Sequence, residues 1–142
     1  MKKILLLNPP IHDFSAYDFW LKPYGMLRVA GFLRGQAEFQ LFDYMDRFSP
    51  LVPEFAAVAG SFKKKRRSDR WGRGEFHSEP HEKPAIFDAV PRRYNRFGIP
   101  RASFQKFLRE NGPFDAVMIQ TVMTYWYAGV REAIEDVRAI SP

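Results

Sequence analysis

Four aliphatic residues, Ile4-Leu5-Leu6-Leu7, lie between the charged pair Lys2-Lys3 and the breaker Asn8-Pro9-Pro10. Unbroken apolar character over so short a length predicts a strand covered on both faces, as in a parallel sheet. Residues 25–35 then set Met26, Leu27, Ala30 and Leu33 at helical spacing, with Pro23 ahead of them and Gly35 as the stop. Residues 39–45 predict a second strand ending at Asp43, and residues 116–120, after the breaker Gly112-Pro113, predict a third. Between these two, residues 103–111 predict a short helix that Ser103 caps and that gathers Phe104, Phe107 and Leu108 on one side. Val130, Ala133, Ile134, Val137 and Ile140 mark one face of a last helix.

Strand, helix, strand, then helix, strand, helix is the alternation of a doubly wound α/β domain. Right-handed crossovers put the first strand in the centre, so the expected parallel order is 2-1-3. Residues 47–100 break the alternation. They hold six of the 11 prolines and four of the nine glycines, and only residues 54–60 read as a short helix. The expectation is one domain over residues 1–142 with an irregular arm inserted at 47–100.

A chain of 142 residues is long enough for one core. The absence of cysteine excludes disulfides, thiolate zinc sites, cysteine nucleophiles and cysteine-ligated clusters within it. No apolar run approaches the roughly 20 residues of a membrane-spanning helix. The amino-terminal run stops after four residues, short of the roughly 7 to 15 of a secretory signal. A cytoplasmic protein is expected.

The net charge of +6 points to nucleic acid until it is located. Residues 61–74 carry seven basic side chains, Lys63, Lys64, Lys65, Arg66, Arg67, Arg70 and Arg73, against Asp69 alone, so this segment holds the whole excess and the rest of the chain is neutral. A duplex-binding protein spreads its basic residues over a face. Nucleic acid is therefore not the expected partner.

In an open α/β sheet the ligand crevice lies beyond the carboxyl ends of the strands, where the chain order reverses. That picks out Asn8, Pro9 and Pro10 after the first strand, and residues 121–127 after the third. Two prolines remove two backbone donors from the first loop, which argues against a pyrophosphate cradle. Asp43, where a ribose-binding carboxylate would sit, reads better as a turn or cap residue. The second loop sets Tyr125-Trp126-Tyr127 beside Met123, Thr121 and Thr124, a flat and mostly apolar surface suited to a large planar ligand or a partner, or simply to the core. His77 and His81 are four apart, which suits a metal only on a helix that Ser78, Glu79 and Pro80 disfavour; with the lone His12 they read as surface or structural residues, so no metal site is expected. Glu75, Glu79 and Glu82 read as an internal charge match for the basic run.

The segments Ile4-Leu5-Leu6-Leu7-Asn8-Pro9-Pro10, Lys22-Pro23-Tyr24-Gly25, Phe42-Asp43-Tyr44-Met45-Asp46 and Thr121-Val122-Met123-Thr124-Tyr125-Trp126-Tyr127 together resemble the amino-terminal cobalamin-binding-type domain of radical S-adenosylmethionine proteins. The stretches Gly72-Arg73-Gly74-Glu75-Phe76, Lys83-Pro84 and residues 92–100 resemble one subgroup of them. The resemblance implies an incomplete flavodoxin-like (Rossmann-like) three-layer sandwich that holds a corrinoid over the strand ends, with no catalytic residues of its own. Asn8, Pro9, Pro10, Thr121, Thr124, Tyr125 and Trp126 would be the cofactor-binding residues. S-adenosylmethionine and an iron–sulfur cluster would belong to a downstream barrel. Two departures stand out: the Asp-x-His-x-x-Gly signature of histidine-ligated cobalamin domains is absent, and the chain stops at Ser141-Pro142 where the family continues.

A reading from a different class is a ligand-free protein- or RNA-docking module, using residues 61–74 and the basic residues from Arg92 to Arg101 interleaved with Trp71, Phe76 and Tyr94. Only three strands are counted, so the third is expected to leave an open apolar edge, and the chain is expected to be a homodimer or larger oligomer, by edge pairing at that strand or by exchange of the arm between Arg47 and Pro100.

Overall fold

The computed structural model describes residues 1–18, 21–53, 74 and 76–141. Its main sheet is parallel and mixed with helices, and β1 (Lys2–Asn8) lies between β3 (Ala37–Asp43) and β6 (Ala116–Ile119). This is the strand order expected from the crossover rule. Leu7 pairs with Phe42 on one side and Ile119 on the other, so the apolar run of β1 is flanked by apolar residues on both neighbours. Leu5, Leu6 and Leu7 are all buried, which accounts for the lack of polar alternation in that strand. The outer edge of β6 has no strand beside it among the described residues.

Among the described residues three α-helices follow from the apolar spacing, with shifted ends: α1 (Tyr24–Phe32), α2 (Arg101–Asn111) and α3 (Tyr127–Ile140). In α1 only Met26 is buried, and Leu27 is exposed, contrary to the expected stripe. The α2 helix starts at Arg101, directly after Pro100, so Ser103 falls inside the first turn and caps nothing. Phe104 and Leu108 of α2 and Ala133 of α3 join Leu5, Leu7, Phe42 and Tyr44 in one core, with Val137 and Ile140 packed against it. The buried face of α3 also includes Glu132 and Asp136, which the apolar pattern does not anticipate.

The arm at 47–100 is not irregular throughout. It supplies β4 (Ser78–Pro80) and β5 (Asn95–Phe97), which form an antiparallel sheet with β2 (Ile11–Asp13) in the order β2-β5-β4. After β5, Gly98 takes φ +116, and a side chain there would meet the Tyr44 carbonyl at 2.8 Å. The glycine thus lets Ile99 N–H donate to Tyr44 O at 2.9 Å, joining the arm to the end of β3. The expected helix at 54–60 and the basic segment, apart from Gly74, lie outside the described residues. No described helix is long and apolar enough to cross a membrane.

Candidate functional site

The two loops singled out from the sequence converge beyond the carboxyl ends of β1 and β6. Asn8, Pro9, Pro10, Thr121 and Trp126 line one shallow cavity, together with Leu21, Met45, Gln120, Val122, Met123 and Val130. Its volume is about 20 Å³, room for roughly one water molecule. Thr124 and Tyr125 are not in its lining; they stand on the exposed surface beside it. There Val122, Met123, Tyr125 and Tyr127 form an open, largely apolar platform, each at least 36% exposed.

Asn8 is a brace for this crevice. Its side chain is buried, and its Nδ2 donates to Leu21 O and to Asp43 Oδ1, both at 2.7 Å, while Gln120 Nε2 donates to Asn8 Oδ1 at 3.3 Å. One amide thus ties the carboxyl ends of all three parallel strands to the segment leading into α1. Asp43 also accepts the Met45 N–H at 2.9 Å, the turn role expected of it. Burial pushes the Asp43 carboxyl above its ordinary pKa, against the opposing pull of Asn8 and Lys22.

The loop after β1 and the start of α3 meet at Gly129, where a Cβ would stand 1.8 Å from the Pro10 carbonyl oxygen. Trp126 is held from outside the crevice, its indole Nε1 donating to Asp13 Oδ2 at 2.8 Å.

Behind the platform lies a polar cluster that reading along the chain does not reveal. Arg96 of β5 donates through Nε and Nη2 to Glu132 of α3 at 2.7–3.1 Å, and through Nη1 to Ile99 O at 2.9 Å. Both partners are buried, which suits the planar fork of arginine. His12 Nε2 lies 3.3 Å from Glu132 Oε2, without the alignment of a hydrogen bond, and its ring meets that of His81 edge-on at 4.4 Å. Burial alone would raise the Glu132 carboxyl, but His12 and Arg96 outweigh it and hold the pKa at about 2. Burial lowers the His81 pKa, and the neighbouring His12 and Arg96 lower it further. One turn on, Arg101 makes a two-pronged pair with Asp136 at 2.8 and 2.9 Å.

A second cavity, about 230 Å³, opens on this cluster between His12, His81, Arg101, Tyr127, Arg131, Glu132 and Glu135. Glu132 and Asp136, four residues apart beside the stripe of Val130, Ala133 and Val137, are the sequence signal that could have marked it. Carboxylates bordering a core stripe need partners, and Arg96 and Arg101 supply them.

Among the described residues no group of three or more His, Asp or Glu could hold a metal ion. No protein-family model, curated protein or solved structure matches the chain.

Proposed function

We propose that this chain is a flavodoxin-like, corrinoid-binding accessory domain of a radical S-adenosylmethionine enzyme, and that the chain itself carries no catalytic residue. The observation that carries the reading is the meeting of the Asn8-Pro9-Pro10 loop with the loop from Thr121 to Trp126 at the ends of adjacent parallel strands, beneath an exposed apolar platform. Ligands of open α/β sheets collect at that position.

The residues present fit a wide, flat group laid on the platform better than a small ligand enclosed in the cavity. Val122, Met123 and Tyr125 offer apolar contact, and Thr121 and Thr124 add hydroxyls for peripheral amides. The polar atoms of Asn8 are already taken by the protein, so this residue shapes the crevice and leaves contact with the group to the platform. Among the described residues no imidazole lines the crevice. A bound corrinoid supplies alkyl-transfer or redox chemistry at cobalt, while the chain's own part is to seat the macrocycle and shield one face.

Calorimetric titration of hydroxocobalamin into the chain tests the reading, with Val122→Arg as the comparison. One site per chain, weakened by the arginine, supports it. Binding that ignores the substitution places the ligand elsewhere and overturns it.

A further inference from the structure

Trp126 forms one wall of the crevice, yet its indole is anchored on the small antiparallel sheet, at Asp13 of β2. An indole N–H can donate and nothing else, so a half-buried tryptophan needs an acceptor, and an ionised carboxylate is the strongest that a side chain provides. Asp13 fills that role with Oδ2 at 2.8 Å, while its Oδ1 accepts the Phe14 backbone N–H at 2.6 Å. With both oxygens engaged, the carboxylate is fixed in orientation, and the indole with it.

What holds Asp13 comes from the inserted arm. Asp13 is paired with Asn95 of β5. The ring of Phe14 meets Phe87 and Tyr94 edge-on at 5.5 and 5.3 Å, with the Arg92 guanidinium 5.6 Å from its centre. The Tyr94 hydroxyl donates to His12 O at 3.0 Å, one residue before Asp13. Phe87, Arg92, Tyr94 and Asn95 all belong to the arm.

We propose that Asp13 is a positioning residue of the crevice, through which the inserted arm fixes Trp126 and with it the turn that presents the ligand platform. The ligand part of this inference rests on the corrinoid reading; the positioning part does not. The arm is then a working part of the site: it sets the attitude of the 124–126 turn, so that Met123 and Tyr125 face outward together.

The test is hydrogen exchange on the full chain, read at the amides of residues 121–127 and of β1, combined with hydroxocobalamin affinity. An asparagine at position 13 keeps one acceptor oxygen where two are needed. Asp13→Asn is therefore expected to speed exchange at 121–127 about tenfold and to weaken hydroxocobalamin about tenfold, while β1 stays protected. Trp126→Phe, which keeps an apolar ring and loses the N–H, is expected to do the same, and the double variant is expected to add little to either single change. Unchanged exchange at 121–127 in Asp13→Asn, or full additivity in the double variant, overturns the proposal. Should Asp13→Asn expose β1, Trp126→Phe decides alone by the same reading. If the unaltered chain binds no hydroxocobalamin while the exchange effects appear, the corrinoid reading fails and the positioning role stands.

Discussion

Asn8 and Asp43 occupy paired positions at the carboxyl ends of β1 and β3, and the Asn8 amide donates to the Asp43 carboxylate at 2.7 Å. Because the same amide also reaches the buried Leu21 carbonyl and receives Gln120, its loss leaves one buried and two half-buried partners short of a hydrogen bond. Asn8→Ala is expected to cost about 2–3 kcal/mol of folding stability, read as a lower urea midpoint with little change in slope.

The Arg96–Glu132 pair joins the small sheet to α3 through two buried charges. Removing one alone strands the other, so Glu132→Ala is expected to cost about 3–5 kcal/mol. Replacing both, as Arg96→Met with Glu132→Leu, is expected to cost less than Glu132→Ala alone. A double-mutant cycle by urea denaturation checks this, and simple additivity would show that the two residues act independently.

The same cluster gives stability a pH dependence with a definite sign. The Glu132 pKa is held at about 2 in the fold, below its ordinary 4.5, so its contribution is complete above 4.5 and is lost as the pH falls toward 2. His81 is lowered from 6.5, so the fold resists its protonation and stability also falls as the pH drops through and below 6.5. Asp43, raised by burial, acts in the opposite direction and softens the acid loss. Urea midpoints across pH are expected to decline in two stages, with His81→Gln removing the upper stage and Glu132→Gln the lower.

The parallel sheet was legible because its information is local. A short apolar run between charges and prolines has few ways to be buried, and the crossover rule then orders the strands. The crevice was legible for the same reason, since strand ends locate it. The small antiparallel sheet was not: β4 is Ser78-Glu79-Pro80, three exposed residues without apolar alternation, and it exists through pairing with β5. Nor could the Arg96–Glu132 pair be read along the chain, because its partners are 36 residues apart. The role of Asp13 could not be read along the chain either, because it depends on Trp126, which lies 113 residues away.

Gly129 gives a prediction from shape alone. A methyl group there would stand 1.8 Å from the Pro10 carbonyl oxygen, a backbone atom that cannot swing aside. Although alanine is the better helix former, Gly129→Ala is expected to destabilise the chain by about 1–3 kcal/mol and to speed amide exchange in the first turn of α3. An unchanged or raised midpoint would mean that the loop after β1 yields freely.

The most direct measurement is the visible spectrum of the chain after incubation with hydroxocobalamin and passage through a desalting column. Corrin absorbance is expected to be retained at close to one equivalent per chain and to diminish when Val122 is replaced by arginine. A desalted protein without corrin absorbance would contradict the account.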